Sequence, residues 1–234
     1  MSDLGDAFLA ATRLVVGWDA ELAETVLLSL RVSLSAVAIA AVVGLPAGAG
    51  LALLRFPGRG FLVVLVNAFM GLPPVVAGLF IYLLLSRAGP LGSLGLLFTP
   101  SAMVVAQTLI VAPILAALAR QVVEDLWREY REQLTSLGAR PGAAIGTLLW
   151  DARFSLVTAL LAGFGRAIAE VGAVIIVGGN IAHVTRTMTT AIALETSKGD
   201  LAMAMGLGMI LLAITLVVNG AAYMLGTAAG RRFG

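Results

Sequence analysis

The residues able to do chemistry fall into separate groups along this 234-residue chain. The densest is the run from Arg120 to Arg153, which holds Arg120, Glu124, Asp125, Arg128, Glu129, Arg131, Glu132, Arg140, Asp151 and Arg153. Its apolar members Val123, Leu126, Trp127, Tyr130, Leu134 and Leu137 recur at steps of three and four, the period of one helix face. Gly138 ends that run, and Arg140-Pro141 forces an extended step before a second short helix. Such a face suits docking to another protein better than bond-making. A second group is Arg166 and Glu170, four apart and able to pair on one helix. Burying either one alone in lipid would cost several kcal/mol, from about 2.5 to about 17 for an arginine. The pair is then either a structural tie between helices or a charge-selective gate. A third group is the donor-rich stretch Asn180, His183, Thr185, Arg186, Thr187, Thr189 and Thr190. Hydroxyls, amides and a guanidinium suit an oxyanion, which needs several directed donors, and they are also what a solvated loop is made of.

Enzymatic chemistry has little to work with. The chain has no Gly-x-Ser-x-Gly nucleophile turn, no His-Glu-x-x-His pair and no Gly-x-x-x-x-Gly-Lys-[Ser/Thr] phosphate loop. Its one histidine, His183, cannot build a multi-histidine metal site, and with no cysteine there are no disulfides or thiolate ligands. We therefore expect no catalytic residue, no resident metal or cofactor, and no ATP hydrolysis by the chain itself.

The elements that must hold these groups are made for lipid. The chain is 60% hydrophobic and 12% charged, against about 25% charged in soluble domains, and its mean hydropathy is +1.02. Apolar stretches predict about five spans, at roughly 26–54, 61–85, 101–119, 154–177 and 201–225, in one transmembrane domain covering 1–234. Residues 1–24 are acidic and lack the basic leader of a signal peptide. Leu9 to Trp18 is too short to cross and is expected along the interface, with Trp18 as anchor. Gly44, Pro46, Gly48 and Gly50 crowd the first span, where small residues let helices approach and proline bends them. Pro73 and Pro74 remove two donors inside the second span, so that helix must break or kink. A break at that depth is a packing kink or the wall of a path. Gly178 to Asp200 is expected as a polar linker. Arg55, Arg59, Arg120, Arg128, Arg131, Arg140, Arg153, Arg231 and Arg232 fall on one side of these spans, and Arg13, Arg87, Arg186 and Lys198 on the other. The positive-inside rule makes the first side cytoplasmic, with residues 120–153 on it and the N-terminus outside.

At this point the chain resembles a known family. Glu132-Gln-Leu-Thr-Ser-Leu-Gly138 is similar to the E-A-A-x-x-x-G loop of ABC-transporter permeases. Gln133 and Leu134 replace the alanines, and Leu148, Trp150 and Asp151 stand where the family's ending has Ile, Leu and Pro. Leu72-Pro-Pro-Val-Val-Ala-Gly78 with Gly89-Pro-Leu-Gly92 resembles the molybdate, sulfate and tungstate permeases. Gly165-Arg-Ala-Ile-Ala-Glu-Val-Gly172, Val177-Gly-Gly-Asn-Ile181, Thr185-Arg-Thr-Met-Thr-Thr-Ala-Ile192 and Glu195-Thr-Ser-Lys-Gly-Asp200 look most like the tungstate-type branch.

The resemblance implies an all-α permease of the type I importer kind in a prokaryotic inner membrane. It would be paired with a second copy of itself, a cytoplasmic ATPase subunit that binds ATP, and an external substrate-binding protein, with an oxyanion as cargo and no nucleic acid. Glu132 and Gly138 carry over from the family's loop, and with Leu126, Trp127, Tyr130 and Leu137 of the apolar face and the adjoining Ala139 they are the candidates for coupling to the ATPase. Pro73, Pro74, Arg166, Glu170, Asn180, Thr185 and Thr187 are the candidates for path or gate. A secondary transporter or channel working alone is the competing reading, and it would usually show paired broken helices in related halves.

Overall fold

The computed structural model describes the backbone of residues 2–233 and the side chains of residues 5–224. The side chains of Asp3, Leu225, Arg231 and Arg232 lie outside the described set. Among the described residues every regular element is helical: α1 (Ser2–Val16), α2 (Ala20–Leu53), α3 (Arg59–Met70), α4 (Pro74–Leu85), a 3-10 turn (Gly92–Leu94), α5 (Pro100–Ser136), α6 (Pro141–Asp151), α7 (Arg153–Ile168), α8 (Gly172–Gly178), α9 (Met188–Lys198) and α10 (Leu201–Phe233). Three helices, α2, α5 and α10, are long and apolar enough to cross a membrane, and the number reaches five if α3–α4 and α6–α7 each count as one bent span. The all-α membrane architecture expected from the sequence is the one observed.

Several boundaries differ from expectation for physical reasons. The third span and the polar helix after it are one helix of 37 residues, about 55 Å long at roughly 1.5 Å per residue. Between Ala119 and Ser136 only the polarity of the side chains changes, and polarity dictates solvent rather than backbone. The second span does break where its prolines predict. Pro73 is extended and Pro74 takes the first helical position of α4, where a missing N–H costs nothing. The expected fourth span, 154–177, is not continuous, because α7 ends at Ile168 and α8 begins at Gly172. The expected linker 178–200 contains α9, with a Thr187–Thr190 capping box at its start and left-handed Gly199 at its end.

The chain forms two compact units. One comprises Met1–Ser35, Pro73–Gln107 and Ala167–Val218. Its core includes Leu22, Met103, Val174, Val177, Met188 and Leu207, all essentially inaccessible. Here α4 lies against α8 so closely that a Cβ on Gly78 would fall 2.7 Å from the Cα of Ala173. The other comprises Ala36–Leu72, Thr108–Arg166 and Asn219–Gly234. In it the second half of α2 packs on α5, and a Cβ on Gly48 would fall 2.2 Å from the carbonyl oxygen of Ala116. Neither contact tolerates a side chain, and without water to drive association such close backbone packing is what holds helices together in lipid.

Candidate functional site

The polar extension of α5 folds back as a helical hairpin within the second unit. Gly138 turns it with φ +78, the N–H groups of Gly138 and Ala139 return to the carbonyls of Thr135 and Leu134, and Pro141 starts α6. The apolar face read from the sequence is real, and most of it closes this hairpin. Leu126, Trp127, Tyr130 and Leu134 are half-buried against a core of Ala49, Leu53, Val123, Ala144 and Leu148. Of the proposed coupling residues, Glu132 and Gly138 are exposed, Ala139 is half-buried, and Leu137 projects with 83% of its surface free. Trp150, at the far end of α6, is 73% exposed. It was not among the candidates, although a tryptophan in a short helix beside a docking run is itself a signal.

Charge organises the root of this hairpin. Glu124 is held by two arginines: its Oε1 accepts from Arg59 Nη2 at 2.9 Å and its Oε2 from Arg120 Nη1 at 2.6 Å. Arg59 opens α3 and also donates from Nε to the carbonyl of Leu51 at 2.6 Å, so a cation sits at the end of α2 where the helix dipole is negative. Nearby, Tyr130 shares a cleft of about 240 Å³ with Glu129, Asp151 and Ser155. The Glu129 carboxylate, then burial, then Asp151 push the phenol above its ordinary value of 10.0, so Tyr130 stays a neutral donor.

In the first unit the polar residues face inward and hold broken backbone. Where α7 stops, the carbonyl of Ala167 accepts from the Glu170 N–H at 3.1 Å and from Gln107 Nε2 at 3.0 Å. The carbonyl of Glu170 accepts from Thr189 Oγ1 at 2.8 Å. The Glu170 side chain, 3% exposed, accepts the N–H of Ala173 in the first turn of α8. Arg166 lies in the last turn of α7, which ends at Ile168, two residues before Glu170. Gln107 escaped the sequence reading because an uncharged amide within a span carries no alarm.

The donor-rich stretch is spent in the same way. Thr185 is fully buried, donating to the carbonyl of Gly178 at 2.6 Å and accepting from the Ile181 N–H at 2.9 Å. Thr187 is buried and caps α9, while Asn180 is half-buried and reaches the carbonyl of Thr190 at 3.4 Å. These hydroxyls serve the protein's own backbone. The stretch is tied to the start of α2 by His183–Glu24 at 2.6 Å and Arg186–Glu21 at 3.1 Å, and the Met188 N–H donates to Ser29 Oγ at 2.8 Å. The structure does bring together the two restarted helices, since a Cβ on Gly172 would meet Val75 Cγ2 at 2.9 Å. The Pro73–Pro74 break and the Glu170 break therefore adjoin one another.

No family model matches the chain. It is 42% identical over 196 residues to a probable anion ABC transporter permease protein of Haloferax volcanii, covering 82% of this chain and 84% of that one. It is 37% identical over 225 residues to the tungstate uptake system permease protein TupB of Peptoclostridium acidaminophilum, covering 96% and 99% of the two chains. A TupB of Campylobacter jejuni is 37% identical over 165 residues, covering 70% and 69%.

Proposed function

The chain belongs to the anion permeases of ABC transporters, and from that premise we propose that it is the membrane subunit of an ATP-driven oxyanion importer, with tungstate as the cargo. Two copies would form the path, a separate ATPase would drive it from the cytoplasm, and an external binding protein would deliver the anion. The likeness to two tungstate permeases over 96% and 70% of the chain favours tungstate over molybdate or sulfate. The positive-inside distribution favours an outside N-terminus and a cytoplasmic hairpin and C-terminus.

One observation carries the mechanical reading: the spanning part of α5 and its polar extension are a single helix, Pro100–Ser136. A push on the hairpin therefore reaches the bilayer without passing through a flexible joint, which is how a rigid element turns a small displacement into a switch of access. Leu137, Glu132, Gly138 and Ala139 would meet the ATPase. Leu126, Trp127 and Tyr130 would act from behind, by fixing the hairpin's shape. The path would be weakly binding, because a tight site does not release. Its Pro73, Pro74 and Glu170 would supply the seam between α4 and α8, and Arg166, at the end of α7, would be a further candidate for the path or gate. Asn180, Thr185 and Thr187 would support that seam.

The test is uptake of labelled tungstate into vesicles holding the purified chain, with and without the ATPase, ATP and binding protein. Uptake that needs all three is expected, and Leu137→Asp should abolish ATPase co-purification while leaving the permease folded. Gradient-driven uptake by the chain alone would overturn the reading in favour of a secondary transporter. Binding of molybdate or sulfate, but not tungstate, by the partner binding protein would move the cargo and leave the rest standing.

A further inference from the structure

We propose that the second unit carries a binding site for an anionic phospholipid in the groove between α2 and the α6–α7 corner. The groove encloses about 540 Å³ and is lined by Ala41, Val42, Leu45 and Pro46 on one side, and by residues from Gly146 to Leu160 on the other. Every lining side chain is apolar except Arg153, which stands at the corner. The chain turns by 73° between α6 and α7 there.

The arginine is set in place before any ligand arrives. Its Nη1 donates to the carbonyl of Trp150 at 2.9 Å. The guanidinium carbon lies 5.3 Å from the centre of the Trp150 ring and 4.8 Å from that of Phe154. Two aromatic faces and one carbonyl hold the fork, and the nitrogens not spent on that carbonyl are left for a partner. Asp151, the nearest carboxylate in sequence, lines the separate Tyr130 cleft and not this groove.

From Arg153 the apolar wall continues through Leu156, Val157 and Leu160, about two helical turns or roughly 10 Å. One ligand class matches a fixed cation at the head of an oily channel of that length: a phosphate bearing an acyl chain. Trp150, 73% exposed, sits at the same end, where an indole belongs at the boundary between headgroups and hydrocarbon. A zwitterionic lipid fills the channel equally well and gains less from Arg153, so charge complementarity selects the anionic headgroup. This site requires only that the chain be embedded in a bilayer. It stands or falls separately from the ATP-driven transport proposed above.

The experiment is native mass spectrometry of the full-length chain. It would be released from nanodiscs containing equal parts of dioleoyl-phosphatidylglycerol and dioleoyl-phosphatidylcholine. We expect retained phosphatidylglycerol to exceed phosphatidylcholine by about fivefold, the size of one arginine's attraction at an anionic surface. Arg153→Ala should bring the two to parity. Leu160→Trp, which fills the channel and spares the arginine, should lower retention of both lipids, and it keeps the test alive should Arg153→Ala fail to fold. Equal retention of both lipids by the wild type would overturn the proposal. So would a preference unchanged in both variants, or displacement of the lipid by inorganic phosphate alone. Loss of a dimer in Leu160→Trp with lipid retention unchanged would assign the groove to a second copy and overturn it too.

Discussion

The hairpin at the end of α5 and the break between α7 and α8 use polar residues in opposite ways. In the hairpin the charges stay at the surface. Arg128 and Asp125 pair with well over half of each side chain exposed, while Leu137 and Trp150 stand out among them. At the break, buried backbone groups and the Glu170 carboxylate are answered by neighbours: Glu170 by the Ala173 N–H, the Glu170 carbonyl by Thr189, the Ala167 carbonyl by Gln107, whose own Oε1 is buried without a partner. The difference follows from solvent. In water a charged helix needs no partner, so its apolar residues are free to be the message. In lipid every freed backbone group must find a donor or acceptor within the protein, so polar residues are consumed by the fold before they can serve a substrate. A polar residue in a membrane protein is therefore weak evidence for a binding site until its hydrogen-bond partners are known.

The sharpest way to break this contrast is to remove a partner at the helix break. Gln107→Leu deletes the donor to Ala167, leaving a carbonyl with one partner fewer in apolar surroundings. Interhelical hydrogen bonds in membranes average about 0.6 kcal/mol and reach about 1.7. We expect a loss of roughly 1 kcal/mol, read as a lower unfolding midpoint in detergent, with Thr189→Val adding to it through the Glu170 carbonyl. A neutral result in both would mean that the break is satisfied by other means, and that these side chains are available to the path.

Next in size is the Glu124 junction, where the hairpin meets the ends of α2 and α3. Glu124→Gln keeps the shape and weakens both arginine contacts. With the carboxylate side chain about 30% exposed, surface-type ion-pair values apply, and no more than about 1 kcal/mol of stability should be lost. If the proposed ATP-driven import passes force along α5 through this junction, anion uptake per ATP hydrolysed should fall further than stability does. Equal falls in stability and coupling would reduce the junction to a fold contact.

How much of this was legible in the sequence depends on which force wrote each feature. The break at Pro73–Pro74 could be read, because proline states its backbone consequence locally. The apolar face of Leu126, Trp127, Tyr130 and Leu134 could be read too, as could the turn at Gly138, because helical period and a glycine stop are local signals. That this face would close against Ala144 and Leu148 was hidden, since periodicity shows which residues share a face and not what covers it. The helix end at Ile168 was hidden for the same reason. No proline or left-handed glycine marks it, and its supports, Gln107 and Thr189, lie far away in sequence. The α9 helix was readable and was missed: Thr187 with Thr190, then Gly199, are ordinary start and stop signals masked by a polar composition that suggested a loop.

The smallest effect, and the one that bears on the boundary between the two kinds of region, concerns His183. It lies in the tied stretch, yet its side chain and that of Glu24 are exposed, at 69% and 47%. The hydrogen bond and charge of Glu24 raise the imidazole above its ordinary value of 6.5, with Glu21 adding to this and Arg186 opposing it. The folded state thus holds the proton more tightly than the unfolded chain. The contact's contribution is full below pH 6.5 and is lost as pH rises through the raised value. The unfolding midpoint should fall slightly as pH is taken from 6 to 9, and His183→Gln should flatten that slope. Identical slopes in the two proteins would show that Arg186–Glu21 and Met188–Ser29 alone tie the stretch to α2. His183 would then belong with the surface charges of the hairpin rather than with the partnered groups of the break.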